Sequence, residues 1–415
     1  MALTGIVLSS PLCSGKEPPM SQHDPTPAGD PARNRRGTRV RTALALGALA
    51  LAVSACGSSD SDPTPAAASS EEHDTAALDA GAAWLDDQVT DGVVHNDQYD
   101  LDDYGLSIDV ALALHAVDDQ PDTVQAVSDQ VAKHVGEYTS PGYGTVTSAG
   151  GTAKALVLAQ AAGADPTSYG GTDLVAQLED TVADRGPVEG RLQDALDKKE
   201  ASATDYANVV GQAYAVTGLD AADSDEAAAA TDFLVAQQCE DGWFRLDFTK
   251  DTGAADQSCD GDPSSKPDLD ATAFAVRALA ADDSAEATAA VDAAVAWLGE
   301  QQASDGSFGG GGSASTTANS NSTGLAGAVL ADAGETAAAE KAATWVFRHQ
   351  AVDCDRFDAA DVGAIAYDDA SLTAAAKKGI TAKTSDQFRR AGSEALPVLQ
   401  WLPAGATEGE QVGSC

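Results

Sequence analysis

Apolar and polar positions along this chain repeat one two-part pattern. Four segments share a bulky stripe: Trp84-Leu85-Asp86-Asp87-Gln88, Phe233-Leu234-Val235-Ala236-Gln237-Gln238, Trp297-Leu298-Gly299-Glu300-Gln301-Gln302 and Trp345-Val346-Phe347-Arg348-His349-Gln350. Acidic residues such as Asp86, Asp87 and Glu300 fall on the opposite side, so each segment predicts an amphipathic helix of an outer layer. Seven or eight residues after each aromatic stand Asp91-Gly92, Asp241-Gly242, Asp305-Gly306 and Asp353-Cys354. Asp-Gly makes a tight turn because glycine accepts a positive φ. Alanine-rich stretches follow, such as Leu269 to Leu279 and Gly324 to Leu330. They are apolar on most faces, which predicts buried helices of an inner layer. Ser107, Thr272 and Thr323, each seven residues before a leucine of these stretches, stand where capping or first-turn hydroxyls belong.

Weaker copies around Pro141-Gly142-Tyr143-Gly144 and Glu189-Gly190-Arg191-Leu192 fill the gaps. The turns then fall at 92, 142, 190, 242, 306 and 354, a period near 50 residues. A unit of that length holding two helical patterns predicts stacked helix pairs, and six can close into a ring. In the sixth unit, 361–370 and 387–402 compete as the inner helix; Phe388-Arg389-Arg390 and the Leu399–Trp401 end favour the second.

Composition sharpens this picture. Hydrophobic residues make up 43% of the 415 but aromatics only 5%, as close packing of small helical residues requires. With 24 Lys+Arg against 65 Asp+Glu the charge is −41, which argues against binding nucleic acid or lying on an anionic leaflet.

Arg33, Arg35, Arg36, Arg39 and Arg41 precede the apolar run from Thr42 to Val53, which has the length of a signal h-region and is short for a bilayer span. Its end, Val53-Ser54-Ala55-Cys56, resembles a bacterial lipobox. The resemblance implies a lipid-modified Cys56 as the mature N-terminus, with Met20 as the expected start. The sequence organisation is therefore 1–55 leader and signal peptide, 56–74 flexible tether rich in Ser, Asp, Pro and Ala, and 75–415 the helical domain. Removing 1–55 leaves 18 basic and 62 acidic residues, a charge of −44 that favours solubility. The expected location is the outer face of the bacterial cytoplasmic membrane, touched only through the anchor.

Four cysteines remain for an oxidising compartment, and three pairings are open. Cys239–Cys259 would close one acidic loop, and Cys354–Cys415 would tie down the C-terminus; these are the favoured pairs. No C-x-x-C or suitably placed histidine supports a metal site.

Gln-Gln-x-x-Asp-Gly-x-Phe followed by Asp-x-Thr-Ala resembles the prenyltransferase and squalene-oxidase repeat over roughly residues 75–402. The resemblance implies an all-α fold, the α/α toroid of terpene cyclases, prenyltransferase β subunits, complement thioester domains and cobalamin carriers. It identifies a fold better than a reaction. Class II cyclases protonate substrate with the middle Asp of D-x-D-D at an inner-helix N-terminus. Asp100-Leu101-Asp102-Asp103 has the letters, but Asp270 lies nine residues before Leu279 while nine before Leu114 is Gly105. That cluster is early and belongs to the turn. Asp268-Leu269-Asp270-Ala271 is in register and lacks the last carboxylate. The prenyltransferase zinc set fails for want of a histidine after Asp353-Cys354-Asp355, and Gly409-Glu410-Gln411 lacks the thioester cysteine. Gly309 to Gly312 has no Lys-Ser/Thr for a P-loop, and His95, His115 and His134 fall in separate repeats.

What remains is a ring with a central cavity and inner-helix N-termini converging at one mouth. Its rim candidates are Asp103, Asp109, Lys154, Asp205, Asp270, Asn321 and Asp361, with Tyr104, Tyr143, Trp243, Phe244 and Phe308 as an aromatic collar or as packing between repeats. The expected function is binding, without transformation, of a small ligand in the manner of cobalamin carriers, or of an envelope partner such as an importer component. No metal or cofactor is expected. The alternatives are an isoprenoid cyclase or prenyltransferase using Asp100, Asp102 and Asp103, and a paired-carboxylate carbohydrate enzyme.

Overall fold

The structure, a computed structural model, describes residues 73–142, 144–200, 203–310, 317–353 and 356–406. The chain divides into two compact units, 1–69 and 70–415, and the fold below is that of the second. The signal-like segment, Cys56, Tyr143 and the Cys354–Cys415 pairing lie outside the described residues.

The helices alternate in chain order between two layers. α1 (Ala76–Asp87) is outer and α2 (Tyr104–Ala116) inner; α3 (Pro121–Thr139) is outer and α4 (Ala149–Ala161) inner. The short α5 (Leu174–Glu179) pairs with α6 (Val209–Ala221), α7 (Ala227–Val235) with α8 (Leu269–Leu279), and α9 (Ala285–Gln301) with α10 (Ser320–Asp332). α11 (Thr336–Arg348) is the sixth outer helix. An extra helix, α12 (Asp369–Lys378), then leads to α13 (Ser385–Ala395), continued by a 3-10 segment over Leu396–Trp401. Each inner helix packs on the next, and α13 packs on both α10 and α2, so the ring closes. The fold is an α/α toroid, and the sixth inner helix comes from the later of the two competing segments.

Strand is confined to the mouth loops. β1 (His95–Asn96) pairs antiparallel with β2 (Leu101–Asp102), and β3 (Thr145–Thr147) with β4 (Ala195–Leu196). One apolar core runs from α2 to α10; a second joins α1 and α2 to α11 and α13, with Trp84, Leu85 and Leu106 packed among Trp345, Phe388 and Leu399. His73 also meets Trp401 edge-on, and the Asp74 amide donates to the Leu402 carbonyl at 2.8 Å.

Repeats are joined at the turn glycines. Gly242 (φ +93°) lies on the α9 backbone, where an added Cβ would stand 2.7 Å from the Ala293 carbonyl oxygen and close to Trp297. Gly190 meets Ala229 and Phe233 in the same way, and Gly306 meets Lys341. The helix contacted is in each case the next outer one. The last joint is Gly363 (φ +95°), which lies on Ala80 and Trp84 of α1. This corrects the sixth turn from position 354 to 363, and Gly142 makes no such contact. The spacing count missed Gly363 because Val362, not Asp, directly precedes it.

A glutamine secures each joint. Gln238 Nε2 donates to the Gly242 and Ala290 carbonyls, both at 2.8 Å, and Gln302 to those of Gly306 (3.1 Å) and Ala338 (2.9 Å). Gln350 closes the ring by donating to Ala77 (2.8 Å) and Gly363 (3.1 Å). The third repeat lacks this glutamine at its outer helix, and Gln212 of α6 reaches Gly190 (2.8 Å) and Ala230 (3.0 Å) instead. The predicted first-turn hydroxyls complete the joint. The Ser107, Thr272 and Thr323 hydroxyls donate to the Asp103, Asp268 and Phe308 carbonyls (2.7, 2.6 and 3.3 Å) and accept the backbone N–H of Val94, Phe244 and Phe308, at 2.8, 2.9 and 2.9 Å. Buried backbone polar groups are thereby paired where the turn would otherwise orphan them.

The long fourth repeat holds the Cys239–Cys259 disulfide that the sequence favours. Inside that loop Arg245, 2% exposed, donates to Gln237 Oε1 and to the Gln257 carbonyl, both at 2.7 Å through Nη2.

Gly363→Ala and Gly334→Ala form a matched test of the joint. Both sites need positive φ (+95° and +86°), but only Gly363 faces a neighbouring backbone; nothing lies within 4 Å of a Cβ at Gly334. Chemical denaturation should show Gly334→Ala costing about 1 kcal/mol and Gly363→Ala at least about 2 kcal/mol more.

Candidate functional site

Five of the six inner helices begin at one mouth with a side-chain cap. Asp103, Ser148, Asn208, Asp268 and Asn319 accept the N–H three residues on, at 2.9, 3.2, 3.0, 2.9 and 2.9 Å. Two residues after each cap stand Gly105, Gly150, Val210, Asp270 and Asn321, and one turn deeper Asp109, Lys154, Tyr214, Phe274 and Leu325. All except Leu325 are only half-buried on helices whose other faces are packed. That stripe, at helical spacing, faces the axis of the ring.

Side chains from different helices meet there. Lys154 Nζ lies 2.5 Å from Asp109 Oδ1 and donates to the Gly105 carbonyl at 3.0 Å. Burial opposes its charge, yet Asp109 and Tyr214 hold its pKa above the ordinary lysine value. Tyr214 and Phe274 approach with ring centroids 5.6 Å apart. Glu394 of α13 has part of its surface open to the lumen but is enclosed by protein. Burial first, then Asp270 and Asp109, push its pKa up to about 8, while Asn321 and Lys154 pull the other way. Burial likewise raises Asp270 to about 6, against a hydrogen bond with Ser322. Asp270 Oδ1 and Asn321 Oδ1 are buried and accept nothing from the described residues.

The rim candidates therefore divide. Asp109, Lys154, Asp270 and Asn321 share the lumen. Asp103 caps α2 and pairs with Arg390 at 2.7 Å. Asp205 and Asp361 serve loops: Asp205 binds Arg191 (3.0 Å) and the amides of Asp194 and Ala207 (both 3.0 Å), and Asp361 accepts from the Ile380 amide at 3.0 Å. Asp102 sits in β2 bound to His95 Nδ1 at 2.8 Å, and the Asp100 side chain is 99% exposed. As the register implies, the Asp100–Asp103 cluster forms the turn, and Asp270 occupies the lumen position. Among the collar aromatics, Phe244 and Phe308 are buried between repeats, while Tyr104 stacks on His134. Glu394 escaped the sequence reading because α13 carries neither a turn glycine nor a capping residue, so no register existed to count it from.

No protein-family model matches the sequence, and no curated protein is significantly similar to it. Solved structures do match. An arginine-to-alanine variant of the type II terpene cyclase MstE from Scytonema, in complex with geranylgeranyl dihydroxybenzoate, aligns with TM-score 0.53 at 16% identity, over 78% of this chain and 96% of that one. A protein from Actinoplanes aligns with TM-score 0.52 at 17% identity over 79% and 98%. An aspartate-to-asparagine variant of UGL with dGlcA-Glc-Rha-Glc gives 0.52 at 10% identity over 79% and 99%. These likenesses are of fold. They place the chain among α/α toroids.

Glu394 makes stability pH-dependent. The folded protein keeps a proton that the unfolded chain releases near pH 4.3. Its contribution is full below that value and is lost as pH rises through about 8. The melting temperature should fall between pH 5 and 8, by at most about 1.4 kcal/mol of stability per pH unit. Glu394→Gln should flatten that slope in thermal denaturation followed by circular dichroism.

Proposed function

We propose that the chain binds a small polar ligand in the lumen of its toroid, entering at the mouth where the inner helices begin. The observation that carries this reading is the pair of buried acceptor oxygens, Asp270 Oδ1 and Asn321 Oδ1, beside the Glu394 carboxyl. A buried acceptor without a donor costs about 1–3 kcal/mol. A ligand bearing donors relieves that cost. The lumen is polar at the level where a polyene would need an apolar wall: Asp109, Lys154, Asp270, Asn321 and Glu394 surround one aromatic pair. Export and lipid anchoring at Cys56 belong to the same proposal. The apolar run with its cysteine supports them, and so does the Cys239–Cys259 disulfide, which suits an oxidising compartment. A tethered toroid of this kind would hand its ligand to an envelope partner.

A second reading rests on one observation. Asp268-Leu269-Asp270-Ala271-Thr272 puts a carboxyl with its pKa raised to about 6 two residues inside an inner-helix cap, with Phe274 one turn below. An acid so placed could protonate an isoprenoid double bond, as a class II cyclase does.

Calorimetry of the full chain with a corrinoid, a disaccharide and a primary amine tests the first reading. At least one should bind one to one, with affinity lowered at least about tenfold by Asp270→Asn, the loss of one charged hydrogen bond. Silence across the panel overturns it. Incubation with geranylgeranyl dihydroxybenzoate should return that compound unchanged; a cyclised product that disappears in Asp270→Asn would establish the second reading instead.

A further inference from the structure

Lys154 and Arg390 at the axis are paired with carboxylates, and two further carboxyls are not. Asp109 holds Lys154 at 2.5 Å. Arg390 reaches Asp103 at 2.7 Å and Asp386 at 3.0 Å. Farther along α8 and α10, burial raises the pKa of Asp332, and the nearby Arg277 only opposes that rise. Asp270 and Glu394 make no ion pair among the described residues. Lys154 reaches Glu394 only weakly, being committed to Asp109. These two carboxyls approach from α8 and α13, and α10 stands between them. Ser322 satisfies one side of Asp270 and Asn321 one side of Glu394. The remaining Oδ1 atoms of Asp270 and Asn321 are acceptors with no donor. One turn below, the Tyr214 and Phe274 rings pack on each other with centroids 5.6 Å apart.

We propose that the lumen recognises an organic ammonium group, held by Asp270 and Asn321 and bordered by the Tyr214 and Phe274 rings. This rests on the lumen-binding reading and names its ligand class. Acceptors and ring faces are what an alkylammonium needs, since it has only donors and a positive charge. A neutral polyol would need donors from the protein as well, and the Asn321 amide is already engaged. Arrival of the cation also changes the proton balance. Near neutral pH Glu394 holds a proton against Asp270 and Asp109, and a positive charge beside it favours its ionised form. The proton leaves to solvent as the ammonium binds. The tyrosines that face the pair, Tyr214 and Tyr367, are raised above their ordinary range by burial and stay neutral throughout.

The test is calorimetry of the full chain with n-butylammonium against n-butanol, in buffers of different ionisation enthalpy from pH 6 to 9. The ammonium should bind one to one at least tenfold more tightly than the alcohol, with proton release and with affinity rising towards pH 9. Asp270→Asn should weaken it at least tenfold. Glu394→Gln should hold the affinity near its pH 7 value and remove the proton release and the rise between pH 7 and 9, leaving only the change below pH 7 that Asp270 contributes, so the inference remains testable if Asp270→Asn fails to fold. Equal binding of the two probes, or ammonium binding without proton release, overturns it. If a corrinoid or disaccharide binds under control of Asp270 while butylammonium does not, the ligand class is wrong and the lumen reading stands. If no probe responds to Asp270→Asn, both fall.

Discussion

The structure depends on the contact between a turn that lacks a side chain and the backbone of the next outer helix. At Gly190, Gly242, Gly306 and Gly363 the chain comes so close to a helix carbonyl that a Cβ would collide with it. The close approach brings the turn carbonyl and a helix carbonyl within reach of one glutamine amide, as at Gln238, Gln302 and Gln350. Each joint thus combines steric fit with the pairing of buried polar groups, which is costly to leave undone. Because the joints at Gly190, Gly242, Gly306 and Gly363 each point to the following outer helix, they lead the chain around a circle in one sense. Gly363 and Gln350 meeting α1 is the point at which that circle closes.

Closure creates the lumen and sets its chemistry. A half-buried stripe on one helix is unremarkable; six stripes turned inward bring Asp109, Lys154, Asp270, Asn321 and Glu394 from five helices to one axis. Desolvation there raises Asp270 and Glu394, and the proximity of Asp270 to Glu394 raises the latter further. The Lys154–Asp109 pair shows the opposite outcome for a charge that finds a partner. Unequal pairing within one enclosed space is what distinguishes Asp270 and Glu394 from the many other acidic residues of the chain.

Much of this was legible in the spacing of residues. The Trp and Gln of the outer helices, the Asp-Gly turns and the Ser or Thr of the inner helices recur because every joint needs the same atoms. Counting from Leu279 put Asp270 on the helix and the Asp100–Asp103 cluster in the turn, and the structure agrees: Asp103 is the cap and Asp102 lies in β2. The count failed where a joint is made by different residues. Gly363 directly follows Val362 and not an Asp, Gln212 supplies its amide from an inner helix, and α13 starts at Thr384 without a capping side chain.

The sequence by itself determined the layers, a period near 50 residues, the turn chemistry and the register of three inner helices, α2, α8 and α10, since each depends on residues within one repeat. Only the tertiary structure decided which carboxyls share an enclosed space, that Asp205 and Asp361 serve loops, and that Glu394 faces Asp270. The reason is physical. Local spacing dictates which way a side chain leaves its helix, whereas the charges and desolvation it meets come from helices distant in sequence, as Asp109 is from Glu394, brought together when the ring closes.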